Sequence, residues 1–265
     1  MGEELSMTAA ASDYPLPRER NLIIVTLIAL AVAAWALIIW QSSINDDDEM
    51  MMSPTMGLAA PVFLGIWIAM MVAMMFPTAM PMILTFARVQ SGKAARGQTV
   101  VPVWIFVAAY LLVWTAFGVA AFVVASAGEE LAERSMWLMD NAARVGGGVL
   151  IVAGLYQLSP LKRTCLSRCR SPMSWILNSW RDGAGGALRM GVEHGTYCLG
   201  CCWLLFVILF PLGMMNIAAL ALITALIFAE KSLPISRSAG MLAALALIAY
   251  GLLVLAYPDV LPTMI

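Results

Sequence analysis

The amino-acid sequence predicts an all-α fold, a polytopic transmembrane helix bundle of about seven spans. Of the 265 residues, 62% are hydrophobic and only 12% charged, a balance foreign to soluble domains. Apolar runs recur along the chain at roughly 20 residues, the length a helix needs to cross ~30 Å of hydrocarbon. The charged residues cluster between these runs, and the clusters alternate in sign. Backbone groups in lipid must be satisfied within their own segment, so each run reads as a helix.

The runs fall at residues 21–41, 58–86, 100–126, 138–160, 190–212, 214–230 and 239–257. The first resembles a secretory signal in having a basic flank and an apolar core. Its core is too long, and Trp35, Trp40 and an acidic run stand where small cleavage-site residues belong. It is expected to stay as a helix. In the second, Pro77 and Pro81 are expected to interrupt the helix and free the carbonyls of Ala73 and Pro77. The fourth opens on Asp140 and Arg144, an i,i+4 pair, and continues through Gly146-Gly147-Gly148, where a neighbouring helix can come close. Between the fifth and sixth, Pro211 and Gly213 imply a very tight turn. A re-entrant segment there would reduce the count to six.

Arg18 and Arg20, then Arg88, Lys93 and Arg96, then Lys162, Arg163, Arg168, Arg170, Arg181 and Arg189, and finally Lys231 and Arg237 occupy one set of connections. Asp46-Asp47-Asp48-Glu49 and Glu129, Glu130 and Glu133 occupy the other. Thirteen of the fifteen basic residues thus fall on one side, which the positive-inside rule makes cytoplasmic. The expected layout is a cytoplasmic N-terminal tail (1–20), a bundle (21–257) with a long cytoplasmic loop (161–189), and a short periplasmic C-terminal tail (258–265). Within that loop, Trp175-Ile176-Leu177 and Trp180 suggest a short interfacial helix. Net charge is −1 and there is no basic tract, so nucleic acid is not an expected partner. The expected surroundings are a lipid bilayer.

Two motifs carry chemistry. His194, the sole histidine, precedes Cys198, Cys201 and Cys202 at spacings of four, seven and eight. Residues three and four apart share a helix face, so His194, Cys198 and one of the other two cysteines should point together. Cys201 and Cys202 lie ~100° apart around a helix, which suggests that only one joins a given site. Met70, Met71, Met74, Met75, Met80 and Met82 form a ladder in the second run, interleaved with the two prolines. Thioether and thiolate sulfur are soft ligands that select Cu(I). Zinc could be held by two or three thiolates and an imidazole, but it gains little from methionine. If the second and fifth spans touch, the sulfurs would form a column from mid-membrane to the inner surface. Packing alone is the alternative role for each of these residues, since methionine and cysteine both fill apolar cores.

Other residues are read more quietly. Glu193 could orient His194, or be a solvated residue at the inner interface. Cys165 and Cys169 are reduced cytosolic thiols or a relay to a soluble carrier. Met50-Met51-Met52 and Met56 beside Asp46–Glu49 could capture Cu(I) outside the membrane.

The run Met70-Met71-Val72-Ala73-Met74-Met75-Phe76-Pro77, the run from His194 to Trp203, and Gly213-Met214-Met215-Asn216 followed by Glu230-Lys231 resemble a bacterial family. It is the family of predicted metal-binding integral membrane proteins designated domain of unknown function 2182. The resemblance covers roughly residues 60 to 232 and departs from the family pattern at Ala218 and Ala219, where a tryptophan-containing run is expected. It implies metal binding in the bacterial inner (plasma) membrane.

The expected function is therefore binding of Cu(I) for copper transport or delivery, with a copper carrier or a membrane enzyme complex as partner. No phosphate-binding glycine loop and no hydrolytic centre are legible, and the chain is not read as an enzyme. Two alternatives stand beside this reading. One is an accessory subunit of a larger membrane complex in which the sulfurs only pack, and the other is a thiol redox protein.

Overall fold

The computed structural model describes residues 17–44, 55 and 57–261. The candidate outer cluster of Met50, Met51, Met52 and Met56 with Asp46–Glu49 lies outside the described residues. Those described form an all-helical structure without strands. The elements are α1 (Pro17–Ile44), α2 (Ala60–Ala94), α3 (Val103–Arg134), α4 (Met136–Asp140), α5 (Ala142–Gln157), α6 (Pro160–Arg170), α7 (Pro172–Ser179), α8 (Gly183–Val207), α9 (Leu209–Leu212), α10 (Ile217–Ser232) and α11 (Ser236–Ala256). A short 3-10 turn, Pro258–Val260, follows.

Five of these units are long and apolar enough to cross a membrane: α1, α2, α3, α8 continued by α9, and α11. Helices α5 and α6, bent by 61° at their junction, make a sixth if they cross as one broken span. The expected seven is thus corrected to five or six. The expected fourth and sixth spans are the ones that fall short. Helices α5 and α10 have 16 residues each, or ~24 Å at 1.5 Å per residue, against ~30 Å of hydrocarbon. Outward faces are strongly apolar, with Leu112 60%, Val124 72% and Leu242 67% exposed. Lipid covers such faces at no cost, and water does not.

The prolines of α2 do not interrupt it. The helix runs through Pro77 and Pro81 for 35 residues, a second correction. Thr78 and Thr85 donate from their hydroxyls to the Met75 and Pro81 carbonyls at 3.0 and 2.7 Å. Neither carbonyl is one that the prolines free, and the helix persists packed against α1 and α3. The segment read as a loop over 161–189 is also mostly helical, formed by α6, α7 and the first turns of α8. Helix α7 is the expected short helix, but Trp175 and Ile176 are buried against the core while Leu177 points outward. At the far end of this segment Lys93 pairs with Asp182, tying α2 to the start of α8. The Lys93 ammonium holds the Asp182 carboxyl below its ordinary range.

Close approach of helices rests on small residues. Gly191 and Gly195 form a Gly-x-x-x-Gly stripe on α8, and added Cβ atoms there would meet the Phe106 carbonyl oxygen at 2.5 Å and the Val113 side chain at 2.9 Å. Helix α8 therefore lies directly on α3. Gly147 and Gly154 do the same for α5 against α11, where they face the Gly251 and Ala244 carbonyl oxygens at 3.0 and 2.8 Å. The glycine run of the fourth segment is thus a packing device, whereas Arg144 bonds Asn141 at 2.7 Å. The expected tight turn after α9 is present. Gly213 has φ +90°, and Asn216 caps α10 by accepting from the Ala219 amide at 3.0 Å.

One polar contact is buried inside this framework. Lys162, on α6, donates to both carboxylate oxygens of Glu230, on α10, at 2.7 and 2.9 Å, and also to Gln157. Both charged side chains are only 3% exposed. Arg170, from the other end of α6, donates to the Glu230 and Leu233 carbonyls at 2.6 and 3.0 Å. Glu230 thus pins α6 onto α10.

Two stability outcomes follow. Gly191→Val overpacks the α8–α3 contact and should lower stability by roughly 1–3 kcal/mol. Gly148→Ala, which meets nothing within 4 Å, should hold or raise it by up to ~1 kcal/mol through helix propensity. Thermal unfolding of the two variants in detergent micelles, followed by near-ultraviolet circular dichroism, reads the difference. Glu230→Ala strands the buried Lys162 charge and should cost about 3–5 kcal/mol. The double replacement Lys162→Met with Glu230→Met should recover most of that loss in the same assay.

Candidate metal centre

Helix α8 carries His194, Cys198, Cys201 and Cys202, and all four are buried, at 1–3% exposure. As expected from their spacing, His194 and Cys198 face the same way, toward α3. Tyr110 of α3 joins them. Its ring stacks on His194 at 5.6 Å between centroids, and its hydroxyl lies 3.1 Å from the Cys198 sulfur. Phe106 and Trp175 complete an aromatic wall around the imidazole, at 5.9 and 5.7 Å. Within it, His194 Nδ1 has no hydrogen-bond partner among the described residues. A buried ring nitrogen without a partner is costly to leave so, and it is free to bind a ligand. Glu193 does not orient it. That carboxylate points outward to Arg189 at 3.1 Å and Arg181 at 3.7 Å.

The cysteines depart from the expectation that Cys201 and Cys202 serve different faces. Their sulfurs are 3.2 Å apart, and both thiols donate to the Cys198 carbonyl, at 3.1 and 2.9 Å. The Cβ vectors do diverge. The side chains nevertheless reach back over the preceding turn, and one carbonyl serves positions three and four residues later. The Cys198 sulfur in turn accepts from the Lys231 ammonium at 3.0 Å. Lys231 follows Glu230 at the end of α10. It is only partly exposed and sets a positive charge beside the thiol group.

Helix α6 adds what the sequence reading left among the loop thiols. Cys169 sits beside Cys198 and Cys201, and the Cys165 sulfur lies 2.7 Å from where a Cβ on Gly200 would stand. The absence of a side chain at Gly200 is what admits Cys165. All five thiols are free and gathered at the α6–α8 contact. The i,i+4 spacing of Cys165 and Cys169 was a legible sign of this. The folding of α6 back onto α8 was not, since it is a long-range contact that leaves no local spacing.

The methionines occupy the same apolar core by a different route. Met70, Met71, Met74, Met75 and Met82 are at most 2% exposed, and Met80 is partly buried. Helix α2 packs mainly on α1 and α3, while α8 packs mainly on α3 and α6. Between α2 and α8 the structure gives a ring contact, Trp67 with Phe206 at 6.2 Å. Trp67 is fixed there by its bond to the Trp114 carbonyl at 3.0 Å and by its fit against Gly118. The thioether ladder and the thiol group thus share the core, with α3 as their common neighbour.

Among the described residues, no three His, Cys, Asp or Glu side chains are disposed as ligands around one point. The reason is visible in the sulfurs. Two thiolates sharing a tetrahedral ion at ~2.3 Å stand roughly 3.7 Å apart, more than the 3.2 Å between Cys201 and Cys202. The thiols here bond one another and the backbone, so small side-chain rotations must precede any metal loading. The donor set itself is soft and clustered, and it has a cation beside it.

The PpoB2 copper chaperone family model matches residues 64–254. No curated protein and no solved structure matches the chain. The matched stretch holds all five cysteines, His194, Lys231 and the whole methionine ladder. By that match over most of its length, the chain belongs to the PpoB2 copper chaperone family.

Proposed function

We propose that this chain binds Cu(I) as cargo inside a bacterial inner membrane and delivers it to a copper-requiring partner or across the bilayer. The observation that carries the reading is the buried cluster of Cys198, Cys201 and Cys202, with Tyr110 touching both Cys198 and the ring of His194, whose Nδ1 is unpartnered, in a chain of a copper chaperone family. With one of the three thiols left protonated, two thiolates and one Cu(I) leave a net charge of −1. The Lys231 ammonium, 3.0 Å from Cys198, is placed to balance it. The methionines of α2 favour Cu(I), because zinc gains little from a thioether.

In this reading His194, Cys198, Cys201 and Cys202 hold the ion. Met70, Met71, Met74, Met75, Met80 and Met82 form a thioether approach along the far side of α3. Thioethers bind Cu(I) more weakly than thiolates, so they suit passage and the thiols suit retention. The N-terminus is placed in the cytoplasm by the thirteen basic residues of one set of connections. The likeness to predicted metal-binding membrane proteins fits the same assignment.

The test is elemental analysis of the full chain, purified in detergent under reducing conditions and supplied with Cu(I). About one retained copper per chain is expected, with Cys198→Ser plus Cys202→Ser reducing retention at least ~10-fold, as loss of two soft ligands should. Copper retention unchanged in the double variant, with intact folding, would overturn the assignment. Preferential retention of zinc would overturn the choice of ion.

A further inference from the structure

Resting on the Cu(I) reading above, we propose that Cys169 and Cys165 of α6 form a two-step exit, carrying the ion from the buried thiols to a soluble acceptor. The thiols are graded in depth. Cys198, Cys201 and Cys202 are buried, whereas Cys165 and Cys169 are half-buried. They are also continuous. Cys169 lies beside Cys198 and Cys201, and Cys165 follows one helical turn along α6, seated over Gly200 at the 2.7 Å approach already described.

The face on which they sit is an aqueous one. Arg168, next to Cys169, is exposed on the rim of that face and Arg163 is exposed on the outer side of the helix, and charged side chains do not face hydrocarbon unpaired. Arg168 lies over the Tyr197 ring, 5.7 Å from its centre, which fixes the rim next to the thiols. Helix α6 is bounded by Pro160 and Pro172 and held from beneath by the buried Lys162–Glu230 pair. The cysteines are therefore presented on a pinned helix, not on a free loop.

The step needs no redox partner. Copper stays Cu(I) throughout. An incoming thiol forms a Cu–S bond and gives up its proton, an outgoing sulfur breaks its Cu–S bond and takes a proton, and the two protons cancel. Repetition moves the ion from Cys198 to Cys169, then to Cys165, then to the acceptor. The acceptor must itself offer soft donors, and the two arginines favour one with negative charge.

The experiment uses the full-length chain in micelles, reduced and loaded with Cu(I), mixed rapidly with excess bathocuproine disulfonate. This anionic chelator is too bulky and polar to enter the bundle, so it collects copper only at the surface. Cys165→Ser and Cys169→Ser should each keep their copper before mixing yet release it at least ~10-fold more slowly than the unmodified chain. Gly200→Val, which displaces Cys165 while leaving every thiol in place, should slow release as well. Because that variant disturbs a packed contact, Cys165→Ser, a near-isosteric change, is the deciding case. Release at the unmodified rate from Cys165→Ser would overturn the exit route. Loss of bound copper from Cys169→Ser before mixing would make that thiol a fixed ligand and overturn its role in passage. Failure of the unmodified chain to load Cu(I) at all would be a different result, removing the binding reading and the route with it.

Discussion

The Lys162–Glu230 pair, two charges buried in an apolar bundle, is the constraint that the helices around the sulfurs must satisfy. Two charges inside an apolar bundle are costly unless each meets the other with good geometry. Here Lys162 reaches both carboxylate oxygens and Gln157 besides, and Arg170 caps the carbonyl of the same glutamate. That penalty for separation fixes α6 on α10. With α6 in place, Cys165 and Cys169 meet α8; with α10 in place, Lys231, the next residue after Glu230, meets Cys198. A polar lock in one layer thus stands beside a soft-donor group in the next.

The other half of the arrangement is steric. Helix α8 presents glycine at 191 and 195 to α3 and glycine at 200 to α6. Between these bare positions stand His194 and Cys198, which are thus pressed into the interior from both sides. Tyr110 fills the space between imidazole and thiol and touches both. Backbone approach and ligand placement are one device. The same glycines that let the helices close bring the donors into a volume that water does not reach, where a bare cation would be unstable without sulfur or nitrogen around it.

Much of this was legible in the residues. Hydropathy gave an all-helical chain, and the histidine–cysteine spacing placed His194 and Cys198 on one buried face. Chain length in each apolar run was less legible. The segments at 138–160 and 214–230 read as spans by composition, yet Asn141 and the turn at Gly213–Asn216 shorten their helices to 16 residues. Pro77 and Pro81 read as breaks, but α2 runs through them, packed against its neighbours α1 and α3. Long-range pairing left no periodic trace at all. Nothing in the spacing of Lys162 and Glu230 reveals that they meet. The capture of Cys169 and the seat of Cys165 over Gly200 belong to the packing of α6 on α8, which is equally long-range.

The thioethers and thiols also divide along the helices. Helix α2 carries the methionines, α8 and α6 carry the cysteines, and α3 lies against both α2 and α8. The account stands or falls on sulfur being what the ion touches. X-ray absorption at the copper edge, recorded on the reduced, loaded chain, tests this most directly. The account predicts a Cu(I) edge with a first shell dominated by two or three sulfurs and at most one nitrogen. A shell built from nitrogen and oxygen alone, or a Cu(II) edge under those conditions, would contradict it.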